Sequence, residues 1–414
     1  MKRSILQRAS LRELYCLGRF RLSYMAHLLG FVAVFWLCTS CSSERSRTIY
    51  TDNGDQYVID MAAMEPVESY KELIKEIAFI PLETNEHSLL SHIDKVVFHK
   101  GRFYIHDRRF AALKVFSEEG KYIRSIGNIG RGPGEFTTLM DFLLDTEEDK
   151  LLLLSNNEKA VMEYDLEGNY LRTMQTNVFA SSFVKIGDSY HYFINQNNND
   201  VSGLNNLIVM DENSRVLDRL FPFPEAFNVM LPDHSFLLGN VDGALFHPTL
   251  SDTVFQLTAN QEIYPKYVFD FGEKALPLPM RTSYEAYNTD EVYNYSRLGN
   301  RLAETEHVIS FNFLDGRSVI PSAFCNRNSV DTVQGKKVLK PLRLGFPISN
   351  RPVLGLLGED TFITYLGAEY ADYVRDRVLF NELVRENFPE FYALVPELKP
   401  GDNPVLVTFK LEFP

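Results

Sequence analysis

The segment Phe116-Ser117-Glu118-Glu119-Gly120-Lys121-Tyr122-Ile123-Arg124 returns 48 residues later as Tyr164 to Arg172. Tyr164 stands in the place of Phe116, Gly168 of Gly120, Tyr170 of Tyr122, Leu171 of Ile123 and Arg172 of Arg124. Ser214 takes the turn position 46 residues after Gly168, and Gln261 takes it 47 after that. A chain whose turns fall at one period of this size is an array of like units. Within each unit, apolar runs of four to six residues alternate with turn residues, which marks short strands. One sheet of four such strands cannot bury both its faces alone. Setting the sheets radially around an axis gives each one two neighbours and leaves only short edges, so the pattern predicts an all-β propeller of four-stranded blades.

The units read as 92–136, 140–175 with Met140 to Leu144 as its first strand, 179–223 and 230–272. The chain from 92 to 414 holds nearly seven periods, but two stretches break the pattern. Residues 274–306, with Pro277, Pro279, Tyr284, Tyr287, Val292, Tyr293, Leu298 and Leu302 in a polar setting, read as a helical or irregular insertion. Residues 370–388 place Val374, Val378, Leu379, Leu383 and Val384 on one stripe of an amphipathic helix. Without them there is room for six blades, in a domain spanning 56–414. Ahead of the array, Ser69 to Lys75 reads as a short helix, and Ile77 to Leu82 as an edge strand, since Pro81 cannot donate to a ladder. The terminal run Pro404 to Leu411 is expected to pair with Ile77 to Leu82 and close the ring.

Residues 1–40 form a leader: six basic residues, then an apolar run from His27 to Leu37 that is too short to span a bilayer. Leu37-Cys38-Thr39-Ser40-Cys41 resembles a bacterial lipobox, with Cys38 where leucine is usual, and implies lipid on Cys41. Residues 41–55 read as a flexible tether, so the expected place is the cell envelope, lipid-anchored to the outer membrane and periplasmic or surface-exposed, with the membrane touched through the lipid alone; ordinary cleaved secretion and an uncleaved anchor are the alternatives. Beyond residue 40 the chain carries 36 basic against 54 acidic side chains, which argues against nucleic acid as a partner. Cys325 is the one cysteine of the folded part, so neither a disulfide framework nor a cysteine metal cluster is available there, and a small buried apolar role is expected.

Asp107 through Phe116, Lys121-Tyr122-Ile123, Ile126-Gly127, Gly130 and Gly132-Pro133-Gly134-Glu135-Phe136 resemble the NHL-type propeller repeat. With the leader and Cys41, the Leu82-Glu83-Thr84 entry and the Asn403-Pro404-Val405-Leu406 ending, the chain is similar to the six-bladed β-propeller lipoproteins of Bacteroidetes. The resemblance is strong in the first two units and weak in the fifth and sixth. It implies a fold and a compartment, and adds little chemistry.

The Gly127 to Phe136 loop has neither a following helix nor a Lys-Ser/Thr pair, so it reads as a tight crossing between blades and not as a phosphate cradle. Asp107 is expected to satisfy loop amides, with Arg108 and Arg109 solvated, and the three form one binding candidate. Ser155-Asn156-Asn157 takes the same place in the second unit. Tyr284, Tyr287 and Tyr293, with Asn288, Asn294 and Asn300, form an aromatic and amide-rich segment that either caps the propeller or stacks on a sugar or peptide. His92, His99 and His106 recur every seven residues, a spacing read as chance. No acid pair sits at a fixed spacing on one element, so neither catalytic nor metal residues are assigned. No cofactor is expected. Asn197-Asn198-Asn199-Asp200 reads as a solvated loop and is the one place suited to calcium. The expectation is a noncatalytic propeller that binds a protein, peptide or glycan at its funnel face. The alternative is a hydrolase or lyase with a metal in the central channel.

Overall fold

The strand Lys150–Ser155 shows how this chain is packed. Its four consecutive leucines are buried on both faces: Leu151 and Leu153 pack toward the sheet before, among Tyr104, Leu113 and Val115, while Leu152 and Leu154 pack toward the sheet after, among Phe183, Tyr192 and Ile208. Because side chains alternate along a strand, a continuous apolar run is what a sheet covered on both faces requires.

The computed structural model describes residues 48–414 except 53–54, 67–72, 198–199, 232–235, 345–350, 368–381, 383–384 and 414. The leader, Cys41, residues 198–199 of the calcium candidate and the five named residues of the amphipathic helix lie outside that set.

The structure is an all-β propeller of antiparallel sheets. Its first sheet is a meander of Lys95–His99, Arg102–Asp107, Ala112–Ser117 and Tyr122–Ile126. The second holds Asp141–Asp145, Lys150–Ser155, Ala160–Asp165 and Tyr170–Gln175, and the third Ser182–Ile186, Ser189–Phe193, Asn205–Met210 and Val216–Pro222. The fourth is built on Phe236–Asn240, Gly243–His247, Thr253–Thr258 and Glu262–Asp270, and the fifth on Ser296–Glu304, Val308–Asp315, Ser318–Asn326 and Pro341–Arg343. The sixth takes Gly355–Leu357, Thr361–Leu366 and Val405–Leu411 from the end of the described chain and its outer strand, Ile74–Pro81, from the beginning. Apolar clusters join each sheet to the next, and the last to the first through Ile363, Tyr365 and Leu406 against Val96, Phe103 and Ile105.

In the first four sheets the third and fourth strands are joined by one turn. Gly120, Gly168, Ser214 and Gln261, the residues whose spacing defined the repeat, all have left-handed backbone, with φ of 81°, 86°, 59° and 64°. Each donates its N–H to the carbonyl three residues back, on Ser117, Asp165, Asp211 and Thr258. The side chains of those four residues in turn accept from amides of the same turn, and a register shift follows on the third strand. This is a bulged hairpin, whose extra twist suits a radial sheet.

Four expectations are corrected. The blades are not uniform: Tyr57–Asp60, Lys336–Leu339 and Asp331–Val333 extend the fourth sheet, where Ile49–Tyr50 also pairs, and Glu65–Pro66 extends the fifth. The fifth sheet's third and fourth strands are therefore separated by an excursion, and its turn has no counterpart in the repeat. Residues 296–304 are a strand and not part of an insertion; Leu298 and Leu302 face the core, but a register break between them hides the alternation. Of the helix expected over Ser69 to Lys75, residues 69–72 lie outside the described set, and Lys75 lies in a strand whose Ile74 and Glu76 pair with Leu411 and Lys410. Residues 48–55, expected within the tether, include the strand Ile49–Tyr50.

Gly120 shows that the turns are not interchangeable. A Cβ there would lie 2.3 Å from the carbonyl oxygen of Pro81, whereas at Gly168 it would meet the flexible end of Ile126 at 3.2 Å. Gly168→Ala is expected to lose about 1 kcal/mol of stability through its backbone conformation alone, and Gly120→Ala about 3 kcal/mol because rigid backbone must also move. Denaturant midpoints of the two variants check this; equal losses would contradict it.

Candidate functional site

In a meander whose sheets all run the same way, the connections from second to third strand and from one sheet to the next emerge at one end of the sheets. The remaining turns emerge at the other. The Asp107 to Ala112 turn and the segment 272–294 therefore share an end. There Lys274 pairs with Asp315 at 2.9 Å, Ser296 donates to Asp315 at 2.8 Å, and Arg317 pairs with Asp290 at 3.0 Å.

Asp107 is fully buried. Its Oδ2 accepts from the Ser91 N–H at 2.5 Å and the His92 N–H at 3.2 Å, and its Oδ1 from the Ser91 hydroxyl and the Phe110 N–H at 3.0 Å each. These donors belong to the link that enters the first sheet and to the turn itself. Asn156 does similar work in the second sheet, exchanging two 3.0 Å hydrogen bonds with the backbone of Ala180. Arg108 and Arg109 are exposed, and the Arg108 N–H donates to Asp94 at 2.8 Å.

The segment 272–294 folds into the short helices Leu278–Thr282 and Tyr284–Tyr287 and the 3-10 turns Gly272–Lys274 and Asp290–Asn294. Met280, Tyr287 and Val292 are buried against Phe227 and Leu250, with Tyr284 packed beside them, so this part is a cap with its own apolar cluster. The rings of Tyr284 and Tyr287 stand edge-on to Phe227 at 5.9 and 5.6 Å. Burial raises the Tyr287 hydroxyl pKa, opposed by Arg297 beside it. Tyr293 is exposed, with the Arg317 guanidinium 3.7 Å from its ring centre. The tyrosines thus come together around one cap and not around the Asp107 turn.

Arg297, which the sequence did not single out, is the second residue of the strand after the cap. It is 5% exposed and stands 5.8 Å from the Tyr287 ring. Nothing in Ser296-Arg297-Leu298-Gly299-Asn300 distinguishes it from a solvated arginine; burial alone does.

The Gly127 to Phe136 loop closes on itself. Asn128–Ile129 pairs with Glu135–Phe136, Glu135 accepts from the Gly132 N–H at 2.7 Å, and a Cβ on Gly127 would strike the Phe136 ring at 2.5 Å. A cleft of about 510 Å³ lies between this loop and the second sheet, lined by Arg131, Glu135, Glu158 and Met162 among others. Glu158 there accepts from the N–H and hydroxyl of Thr137 at 3.2 and 2.8 Å.

The histidines spaced by seven have separate partners: His92 is 3.3 Å from the Tyr365 hydroxyl, His99 is 3.0 Å from Asp149, and His106 is 3.1 Å from the Leu139 carbonyl. Among the described residues, no three His, Cys, Asp or Glu side chains gather as a metal site. Cys325 is wholly buried, and burial raises its thiol pKa, which suits an unreactive core residue.

These features define a β-propeller whose sheet-to-sheet connections build one elaborated end. The chain belongs to the family described as a domain of unknown function (DUF4934), whose model matches residues 56–410. Among solved structures it is similar to a Bacteroides fragilis protein described as exported, 14% identical over 87% of this chain and 100% of that one, with a TM-score of 0.66. It is also similar to a duf4221 member from Bacteroides vulgatus, 12% identical over 83% and 98% of the two chains, TM-score 0.48. A virginiamycin B lyase from Staphylococcus aureus is 7% identical over 69% and 81%, TM-score 0.40. The first likeness bears on the fold alone, and the other two carry no argument. No curated protein matches the chain.

His191 and His247 are buried in second strands, and burial lowers their pKa values from 6.5 to about 4. The unfolded chain protonates them near pH 6.5 and the folded chain resists until about 4, so stability is lost as pH falls through that window, on the order of 3 kcal/mol for each. Unfolding free energy measured from pH 7 to 4 should fall, and His247→Gln should fall less steeply; equal slopes would contradict this.

Proposed function

We propose that this chain is an exported envelope lipoprotein, anchored through Cys41, whose six-bladed propeller is noncatalytic and binds a protein, peptide or glycan at the end carrying the sheet-to-sheet connections. The carrying observation is that the connections at that end leave a group of large apolar side chains in water. Phe110, Phe179, Met230, Leu278, Tyr293 and Tyr392 are all exposed, and all lie on connections at that end, with Leu278 70% exposed. Evolving such groups on irregular segments over a rigid ring is a common basis for recognition.

Six blades are supported by six sheets of four or more strands, each sharing an apolar cluster with the next. Envelope placement is supported by the leader and lipobox and by the exported description of the Bacteroides fragilis neighbour. No helix among the described residues is long and apolar enough to cross a membrane. The connection 272–294 leaves Tyr293, Asn288 and Asn294 exposed. A hydrolase or lyase would instead need a set of converging histidines or carboxylates.

The full chain purified from membranes without chelator tests both parts. Its mass should show diacylglyceryl on Cys41, lost in Cys41→Ala, and metal analysis should find no stoichiometric ion. A tightly held equivalent of metal would overturn the noncatalytic reading, and an unmodified Cys41 the anchor.

A further inference from the structure

Three cations are buried among the described residues, Lys114, Lys266 and Arg297, and Lys114 donates to the His87 carbonyl. Lys266 meets Glu304 at 2.9 Å and Gln256 at 3.1 Å, Arg327 meets Glu304 at 3.0 Å, and Lys95 meets Asp141 at 2.9 Å. Arg281 pairs with Asp252. Arg297 is more deeply buried than Arg327, yet its Nε and Nη1 have no hydrogen-bond partner among the described residues. Burying an unpaired guanidinium costs several kcal/mol, and a ring contact at the distance of Tyr287 returns about 1–2 kcal/mol. A position that retains such a residue is short of an anion.

The backbone beside it is irregular in a way that serves a site. Along the fifth sheet's first strand, pairing jumps from Leu298 with Phe313 to Leu302 with Phe311, so Gly299, Asn300 and Arg301 face the single residue Asn312. A Cβ on Gly299 would fall 2.4 Å from the Asn312 amide oxygen, so the Asn312 side chain would have to shift to admit one. Bulges of this kind re-aim side chains and recur beside binding sites. The buckle follows Arg297 directly, at the end of the sheet that bears the tyrosine cap.

We propose that Arg297 anchors an anion site at this end, and that its ligand is a small molecule bearing a carboxylate, with Tyr287 against the guanidinium. This rests on the binding reading of the same face and narrows its ligand. One buried cation balances one negative charge, whereas a phosphate dianion would leave charge uncompensated. A planar carboxylate also matches the planar donor set of arginine. A chain with net charge −13 repels polyanions but tolerates a compact monoanion. The carboxylate could come from an acidic sugar or from the end of a peptide.

Thermal unfolding of the full chain and of Arg297→Met and Arg297→Lys, at constant ionic strength, tests this with galacturonate, N-acetylalanine, galactose and inorganic phosphate as probes. One carboxylate should raise the wild-type midpoint with a saturable dependence on its concentration. Arg297→Met should abolish the response, and Arg297→Lys should require at least about tenfold more ligand. Without ligand, Arg297→Met should unfold at or above the wild-type midpoint, since it removes an unpaired buried charge. The proposal is overturned if wild type responds to neither carboxylate, if phosphate acts more strongly than both, or if ligand-free Arg297→Met is markedly destabilised. Galactose stabilising wild type and variants alike would remove this inference and leave the binding face standing. Which carboxylate acts names the source.

Discussion

The strand pairing between Ile74–Pro81 and Val405–Leu411 is the contact on which the rest depends. Apart from the cluster that joins the last sheet to the first, the shared clusters join sheets that follow one another in sequence, and could form from one end of the array to the other. This pairing, with the cluster and the Asn403 hydrogen bonds beside it, brings residues near the beginning of the described chain to its end. Its cost is the entropy of closing a very long loop, which rises only slowly with length. Its return is the last two exposed sheet faces, covered together. The seam is polar as well as apolar: Asn403 donates to the carbonyls of Glu83 at 2.7 Å and Ser88 at 3.0 Å, its N–H reaches the Thr84 hydroxyl at 2.9 Å, and the Glu83 carboxylate accepts from the Tyr122 N–H at 3.0 Å. A buried asparagine with its donors and acceptor all used fixes one register, because a slip would strand them.

A closed ring also explains where the chain can vary. The third-to-fourth-strand turns of the first four sheets repeat one geometry because each must twist its sheet by the same amount. The connections at the opposite end carry no such constraint. They hold the tyrosine cap and the exposed side chains of Phe110, Phe179, Met230, Leu278 and Tyr392, and the buried arginine lies at the same end. Glu304, with Lys266, Arg327 and the Tyr267 hydroxyl around it, lies toward the turn end and is paired, and at the opposite end Asp252 is paired with Arg281. Arg297 also lies at that opposite end and is not.

Much of this was legible in the sequence. A left-handed turn residue must be glycine or one of few others, so Gly120 and Gly168 announced themselves, and Ser214 and Gln261 could be found by spacing even without glycine. Pro81 marked an edge. What could not be read is non-local. Tyr57–Asp60 joins the fourth sheet by parallel pairing with a strand some two hundred residues away, and short parallel additions leave no local pattern. The strand at 296–304 was lost because a three-residue buckle breaks the alternation on which strands are recognised. For the candidate site, the role of Asp107 as an acceptor for loop amides was legible, since aspartate at a strand end commonly serves that purpose. The separation of the tyrosine cap from that turn, and the burial of Arg297, are properties of packing and have no signature in a single sequence.

The closure itself can be measured with one cross-link. Ala78 and Thr408 face each other across the seam, and cysteines placed at facing positions of neighbouring strands can bridge without moving the backbone. In the variant Ala78→Cys with Thr408→Cys, the account predicts that mild oxidation of the folded protein joins these two residues and raises the unfolding free energy by about 4 kcal/mol. Two thiols that stay free in the folded protein while oxidant is present would mean that the ends do not meet, and the ring would not be closed as described.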